Sequence, residues 1–149
     1  MKPRTRARSV ALQVLYEIDI IGHSPGEILQ ERFEALHEEQ TPLDDDLAAF
    51  VVSIVNGVFP SIHQLDETIA QHAPEWPLDQ VATIDRNILR IALWEIAIDR
   101  QTPVKVAINE AVELAKMFGS DSSARFVNGV LGSLAIHLNE IAQSLNKSK

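Results

Sequence analysis

The basic residues at the start of the chain are the group whose types and spacing point most directly to a ligand. Four cations precede the first acidic residue, Glu17, in a chain of formal net charge −8: Lys2, Arg4, Arg6 and Arg8. A guanidinium group stays charged and donates hydrogen bonds in a fork that fits two phosphate oxygens. Such a basic arm on an acidic protein indicates a locally held polyanionic partner. The alternative is a solvated N-terminal tail.

Phe126 is the second candidate for ligand binding, because it follows Arg125 and a group of serines within residues 120–123. The start of a helix offers unpaired backbone N–H groups to phosphate, and an aromatic or guanidinium plane can hold an unstacked RNA base. Lys116 adds a cation nearby in the sequence. The alternative is that Phe126 is an ordinary core residue. Tyr16 similarly suits either the edge of the core or an interface.

No set of residues forms a recognisable catalytic site, cofactor site or metal site. The histidines are scattered without metal-ligand spacing: His23, His37, His63, His72 and His137. No nucleophile elbow, phosphate-binding loop or dinucleotide fingerprint is present. The acidic residues between 27 and 46 are typical of a solvated helix face. The sequence therefore nominates no residue for catalysis, and we expect no cofactor.

Length and composition are those of a single globular domain. The chain has 149 residues, of which 46% are hydrophobic and 23% charged, which is enough apolar character for a sizeable core. Cysteine is absent, so disulfides and thiolate-bound zinc are excluded, and a reducing cytoplasm is the expected compartment. The apolar run at residues 10–21 contains polar residues and lacks a cleavage site, so it is not a signal sequence. We expect no membrane-spanning segment.

Apolar residues recur at steps of three and four along the chain, which predicts an all-α fold. In the first half, Ser24-Pro25 and Thr41-Pro42 carry helix-start signals, and Pro60 should end or bend the third helix. A short helix over 61–71 should precede two prolines at 74 and 77. We predict one domain, residues 1–149, with a joint between subdomains near 73–82.

In the second half, the apolar residues between 84 and 96 surround a helix almost completely, which predicts a central core helix. Thr102-Pro103 should start the next helix, and Gly119 should end it in a left-handed conformation. A last helix should run from the serines near 120 past Ile141. Gly129 and Gly132 lie inside it, where close approach of another backbone would explain them.

Three blocks of sequence, in order and at characteristic spacing, resemble the NusB transcription antitermination factor family. The resemblance covers nearly the whole chain, and its last block is the most specific. The blocks are the arginine-rich start running into 11-ALQVLY-16, the core segment 87-NILRIALWE-95, and 103-PVKVAINEAVELAK-116 followed by Phe118-Gly119 and 126-FVNGVL-131.

This resemblance implies a compact bundle of about seven helices in two packed helical halves, without catalytic activity. It also implies binding of single-stranded boxA-type RNA together with the ribosomal protein NusE, in the transcription elongation complex of ribosomal RNA operons. By position, Arg4, Arg6 and Arg8 match the arginine-rich RNA-binding start of the family, and Arg125 with Phe126 matches its second RNA contact. Tyr16 and Asp85 fall where the ribosomal-protein interface is expected.

Two departures from the family pattern leave alternatives open. The arginine run is interrupted, and Gly132-Ser133 stands where an acid commonly follows. The chain is therefore either an RNA-binding factor or a protein-interaction module that holds a ribosomal protein without RNA affinity. A third reading is the accessory RNA-binding domain of an RNA methyltransferase, although the chain stops at Lys149 without a catalytic domain. Whether the free protein is a homodimer is also open.

Overall fold

The computed structural model describes residues 1–73 and 80–147, and these residues form helices without any β-strand. The predicted all-α fold is confirmed. The helices are α1 (Pro3–Ile21), α2 (Pro25–Glu38), α3 (Asp45–Val58), α4 (Ile62–His72), α5 (Thr83–Leu93), α6 (Val104–Phe118), α7 (Ser123–Ile136) and α8 (Leu138–Lys147). A short 3-10 turn, Phe59–Ser61, precedes α4, and a π-helical segment, Trp94–Asp99, follows α5.

The chain divides into two compact units, Met1–Phe59 and Pro60–Lys149. The joint predicted near 73–82 falls mostly on residues 74–79, as do both prolines of that segment. These six residues lie outside the described part of the chain. The predicted joint therefore stays a prediction, and each unit is described by itself below.

In the first unit, α1 packs against α2 and α3. Leu12, Val14 and Leu15 are almost completely buried on α1, as are Val51 and Ile54 on α3. Burial of side chains of this size stabilises the unit by roughly 1.5–3 kcal/mol each.

Side-chain caps determine where α2 and α3 begin. Ser24 Oγ accepts a hydrogen bond from the N–H of Glu27 at 3.4 Å, so the predicted start of α2 is confirmed. For α3 the cap is Asp44, whose Oδ1 accepts from the N–H of Leu47 at 2.8 Å. The helix therefore begins three residues after the predicted Thr41-Pro42 signal, because a carboxylate caps these N–H groups well.

One helical stretch, Asp45–His72, is long and apolar enough by length and composition to cross a membrane. Its 28 residues reach a mean hydropathy of 1.4 in the most apolar window. The expectation that no stretch approaches this length was wrong, since the chain stays helical through the 3-10 turn at Pro60. Val51, Ile54 and Val55 in α3 are nevertheless fully buried. Only 22% of the most apolar window is buried inside the structure, so core packing accounts for a minor part of this apolar character.

In the second unit, α5 is the central core helix, as predicted. It contacts α4, α6 and α7, and Ile88, Leu89 and Leu93 are fully buried. The same helix buries Asn87 and Arg90. Buried polar groups of this kind require hydrogen-bond partners, because their desolvation is otherwise uncompensated.

The π-helical segment after α5 is in contact with α8. The N–H of Arg100 donates to the carbonyl of Glu95 at 2.9 Å, which is the wider i to i+5 spacing. The Asn146 side chain of α8 donates to the carbonyl of Ala97 at 3.2 Å within this segment. This hydrogen bond connects the π-helical segment to the last helix.

Arg100 ends this segment in the left-handed region, with φ 62° and ψ 19°. A non-glycine residue pays roughly 1–2 kcal/mol for that conformation, whereas glycine does not. We expect Arg100→Gly to raise the free energy of unfolding by about 1 kcal/mol, as measured by urea denaturation. Arg100→Ala is the control, because it removes the same side chain and keeps the strain. Equal stabilities of the two variants would contradict this explanation.

The last predicted helix is divided in two at His137. The N–H of His137 donates to the carbonyl of Leu134 at 3.1 Å, which is a tighter i to i+3 bond. Beyond this break, α8 buries Ile141, Ala142 and Leu145. A straight continuation of α7 would place these residues elsewhere, so the helix breaks where the sequence gives no proline or glycine signal.

Two predictions about glycines were wrong. Gly119 does end α6, but its backbone is extended, with φ −93° and ψ −172°, rather than left-handed. The position needs glycine because a Cβ there would lie 2.4 Å from Ser123 Oγ. At Gly132 an added Cβ would meet nothing within 4 Å, so close backbone approach does not explain that residue.

Candidate nucleic-acid interface

The basic residues at the start of the chain belong to the first turns of α1 rather than to a separate arm. Lys2 occupies the N-cap position and Pro3 begins the helix. The first turn contains no acidic residue. Because the N-terminus of a helix carries a partial positive charge, cations there repel the helix dipole. A bound anion would remove this repulsion, so the start of α1 is electrostatically suited to phosphate.

These cations differ in exposure. Lys2 and Arg4 are exposed and Arg6 is half-buried, whereas Arg8 is only 3% exposed. The guanidinium of Arg6 donates to the carbonyl of Thr41. We therefore define the accessible basic site as Lys2, Arg4 and Arg6. Arg8 presents little surface to an incoming strand in this conformation.

The ring of Phe50 on α3 contacts two of the guanidinium groups. Arg4 Cζ lies 4.1 Å and Arg8 Cζ 5.1 Å from the centre of its ring. Arginines four residues apart on a helix share one face, which is why both reach the same ring. Each cation–π contact contributes roughly 0.5–2 kcal/mol. Sequence reasoning missed Phe50, since nothing in its local pattern connects it to α1.

In the second unit, the end of α6 and the start of α7 form a corner around Ser123. Ser123 Oγ accepts from the N–H of Ser120 at 2.9 Å and lies 2.9 Å from Asp85 Oδ2, to which it donates. Ser123 is 1% exposed, so water does not replace these bonds. The sequence placed these serines at the start of the last helix without distinguishing Ser123 from the others.

The nominated RNA contacts follow immediately on α7. Arg125 is exposed and Phe126 is half-buried. The N–H of Phe126 donates to the carbonyl of Ser122 at 3.0 Å, which places the phenylalanine in the first full turn of the helix. Phe126 is therefore partly accessible at the surface. The same exposure is incompatible with a fully buried core residue.

Lys116 lies near the end of α6, and an acidic neighbour partly offsets its charge. Its Nζ is 3.3 Å from Glu113 Oε1, and the lysine side chain is 60% exposed. Two apolar side chains follow it and remain accessible, with Met117 41% and Phe118 37% exposed. Sequence reasoning nominated neither of them as a surface residue. The exposure of these two side chains depends on the direction in which α6 ends, which the sequence does not show.

The two residues expected at the ribosomal-protein interface differ in accessibility. Tyr16 in the first unit is 39% exposed, and Ile20, one turn further along α1, is 60% exposed. Together they form an exposed apolar strip. Asp85 in the second unit is only 7% exposed and uses Oδ2 for Ser123. Its Oδ1 is buried and has no hydrogen-bond partner within the described residues.

The histidines are less scattered than the sequence suggests. His72 and His137, 65 residues apart, have ring centres 5.1 Å from each other. In residues 1–73 and 80–147, no group of three or more histidine, aspartate or glutamate side chains is arranged to hold a metal ion.

Comparisons with known proteins agree on one family. Residues 5–135 match the model of the NusB family. The chain is 44% identical over 140 residues to the transcription antitermination protein NusB of Dehalococcoides mccartyi, covering 94% of each protein. It is also 44% identical over 134 residues to that of Bacillus subtilis, covering 90% of this chain and 95% of the relative.

Solved structures give the same result for the fold. T. maritima NusB superposes with a TM-score of 0.77 at 27% identity, over 96% of this chain and 92% of that one. A chain from the crystal structure of antitermination factors NusB and NusE in complex with dsRNA gives a TM-score of 0.77 at 26% identity. This match covers 97% of this chain and 98% of the other.

Proposed function

The chain belongs to the NusB family of transcription antitermination proteins, and we propose that it binds single-stranded boxA-type RNA together with the ribosomal protein NusE. It would act as a non-catalytic factor in the cytoplasmic transcription elongation complex. The family assignment confirms the prediction that the chain is not an enzyme.

The observation that carries the proposal is the concentration of cations at the positive end of α1. Lys2, Arg4 and Arg6 are accessible and have no acid in their helical turn. They supply sequence-independent attraction to phosphate. Arg8 supports them from within, through its contact with Phe50.

The preference for single strands rests on Phe126 and its neighbours at the start of α7. The ring of a partly exposed phenylalanine can stack on a splayed base, whereas the bases of a duplex are already stacked. Arg125 and Lys116 would contribute further phosphate contacts. The solved neighbour contains NusE with dsRNA. It supports an RNA partner and NusE for this fold, and the strand preference is our own proposal.

For the ribosomal protein, we propose contacts with Tyr16 and with the surface around Asp85. The exposed apolar strip of Tyr16 and Ile20 would be buried by the partner, and the net charge of −8 favours a basic protein. Asp85 itself is too buried to provide more than a small part of the contact.

A mobility-shift assay with boxA-type RNA, with and without NusE, tests this function. We expect a shifted complex that NusE strengthens and that duplex RNA of the same sequence competes for poorly. The competing proposal, a module that binds the ribosomal protein alone, predicts a complex with NusE that survives RNase and never contains RNA. The burial of Arg8 is the observation that favours this alternative.

Phe126→Ala should impair sequence recognition more than general RNA affinity. We expect affinity for boxA-type RNA to fall about 10-fold, the range of one lost base–aromatic stack. Affinity for a scrambled strand should change less than about twofold. Fluorescence anisotropy with labelled RNA measures both.

Phe118→Ala is the matched control, because it removes another partly exposed phenylalanine from the same corner. We expect it to leave the ratio of the two affinities unchanged. Equal losses for both RNAs in Phe126→Ala would remove the stacking role.

A further inference from the structure

We infer that Asp85 and Ser123 are positioning residues for RNA recognition, acting through Phe126 rather than touching RNA themselves. This inference rests on the proposed function of Phe126. It concerns three elements of the second unit: the start of α5, the end of α6 and the start of α7.

One hydroxyl group joins these elements. Ser123 Oγ donates to Asp85 Oδ2 on α5 and accepts from the backbone N–H of Ser120, which follows α6, both at 2.9 Å. Ser123 is also the first residue of α7. The direction in which α7 leaves the corner is therefore tied to α5 and to the end of α6 at a single atom.

The packing around this atom leaves no room for adjustment. A Cβ at Gly119 would lie 2.4 Å from Ser123 Oγ and 2.8 Å from the carbonyl of Ala115. Real Cβ atoms do not approach other atoms this closely. Glycine at 119 thus allows the Ser123 hydroxyl to sit against the chain, and any larger residue must displace it.

Burial makes the hydroxyl difficult to replace. Ser123 is 1% and Asp85 7% exposed, and Asp85 Oδ1 already lacks a partner among the described residues. Without Ser123 Oγ, the second oxygen of this carboxylate would also lose its hydrogen bond. A buried carboxylate without a hydrogen bond to either oxygen destabilises the fold, so the corner would rearrange until the carboxylate reaches water or another donor.

Phe126 is the residue that such a rearrangement would move. It lies three positions after Ser123, in the same helical turn, and its N–H is bonded to the carbonyl of Ser122. Stacking requires the ring to lie parallel and close to the base, whereas the attraction between cations and phosphates is less directional. Loss of the Ser123 bonds should therefore reduce base recognition and leave general RNA affinity intact.

The test is a double-mutant cycle in the full chain, with anisotropy measured for boxA-type and scrambled RNA. We expect Ser123→Ala to lower affinity for boxA-type RNA about 5-fold and to leave scrambled RNA within about twofold. In a Phe126→Ala background, Ser123→Ala should have no further effect on the ratio of the two affinities, because its influence passes through that ring. A purely structural role would instead give the same loss in both backgrounds.

Ser122→Ala is the matched control, since it removes an exposed hydroxyl from the adjacent position. It should behave as the unmodified protein. Asp85→Ala provides a second variant should Ser123→Ala fold poorly, because it removes the acceptor of the Ser123 hydroxyl together with the buried carboxylate and leaves no unpaired charge. It should lower the affinity ratio by a similar factor.

An unchanged ratio in folded Ser123→Ala or Asp85→Ala would overturn the positioning role and leave the proposed function intact, provided that Phe126→Ala lowers the ratio. An unchanged ratio in Phe126→Ala would overturn both proposals.

Discussion

Alanine at Lys2, Arg4 and Arg6 together is expected to weaken binding of every RNA sequence about 100-fold at low salt. Each accessible cation is expected to contribute about 1 kcal/mol through a charge-assisted phosphate contact, and each 1.4 kcal/mol corresponds to a factor of ten. Because these contacts read no bases, boxA-type and scrambled RNA should lose affinity equally. Anisotropy titrations measure both.

The salt dependence of binding gives the sharper readout of the same variant. The three phosphate contacts of the basic site contribute roughly −2 to the slope of log K against log salt, from about −0.7 per contact on single strands. These contacts should thus account for a roughly 20-fold fall in affinity between about 50 and 200 mM salt. The triple variant should lose this part of the salt dependence and keep only the part that Arg125 and Lys116 contribute.

A second triple variant controls for overall charge. Arg100, Lys105 and Lys147 are exposed cations outside the basic site, and their replacement by alanine removes the same three charges from a protein of net charge −8. We expect it to keep the salt slope of the unmodified protein. If both triple variants lose affinity and slope alike, the protein attracts RNA through its total charge and the start of α1 has no special role.

The second large effect concerns stability. Arg90→Ala is expected to lower the free energy of unfolding by about 3 kcal/mol. Arg90 on α5 is 4% exposed and binds the Asp66 carboxylate through both Nε and Nη2, at 2.8 and 2.7 Å. Its Nη1 donates to Asn87 Oδ1 at 3.1 Å. Removing the guanidinium leaves a cavity and an unpaired acid beside the core helix.

This value is at the low end of the destabilisation usually caused by breaking a buried ion pair, because the Asp66 side chain is 28% exposed. Urea denaturation followed by circular dichroism measures the change. Lys116→Ala breaks the exposed pair with Glu113 and should cost less than about 0.5 kcal/mol. A loss below about 1 kcal/mol for Arg90→Ala would show that the pair contributes no more than a surface contact.

Local chemistry made much of the fold predictable. The Ser24-Pro25 start of α2 follows from capping geometry, and the apolar pattern that surrounds the helix between 84 and 96 identifies it as the core helix. These features depend on residues within one or two turns of each other, so a sequence displays them directly. The family resemblance added the RNA-binding and partner assignments.

Features that depend on distant residues were not predictable in this way. Asp66 and Arg90 are 24 positions apart, and Asp85 and Ser123 are 38 apart, so no local pattern pairs them. The break of the last helix at His137 follows from where α8 must bury its apolar face. The burial of Arg8 likewise depends on the packing of α1 against α3, where its guanidinium lies over the Phe50 ring.

Asp85 illustrates how the structure changes the meaning of a predicted site. Its sequence position suggested an interface with the ribosomal protein. The side chain is only 7% exposed, however, and its main role is to accept the hydrogen bond from Ser123 within the fold. Its effect on binding would therefore pass through the corner that it stabilises. The glycine requirement at 119 follows from the same contact.

The most direct test of the central claim is an NMR titration of the isotopically labelled protein with single-stranded boxA-type RNA at low salt. Our account predicts that the largest backbone amide shifts occur at residues 2–6, at the start of α1, and at residues 122–126, at the start of α7. Shifts confined to other surfaces, such as α2 or α8, with both helix starts unaffected at saturating RNA, would contradict it.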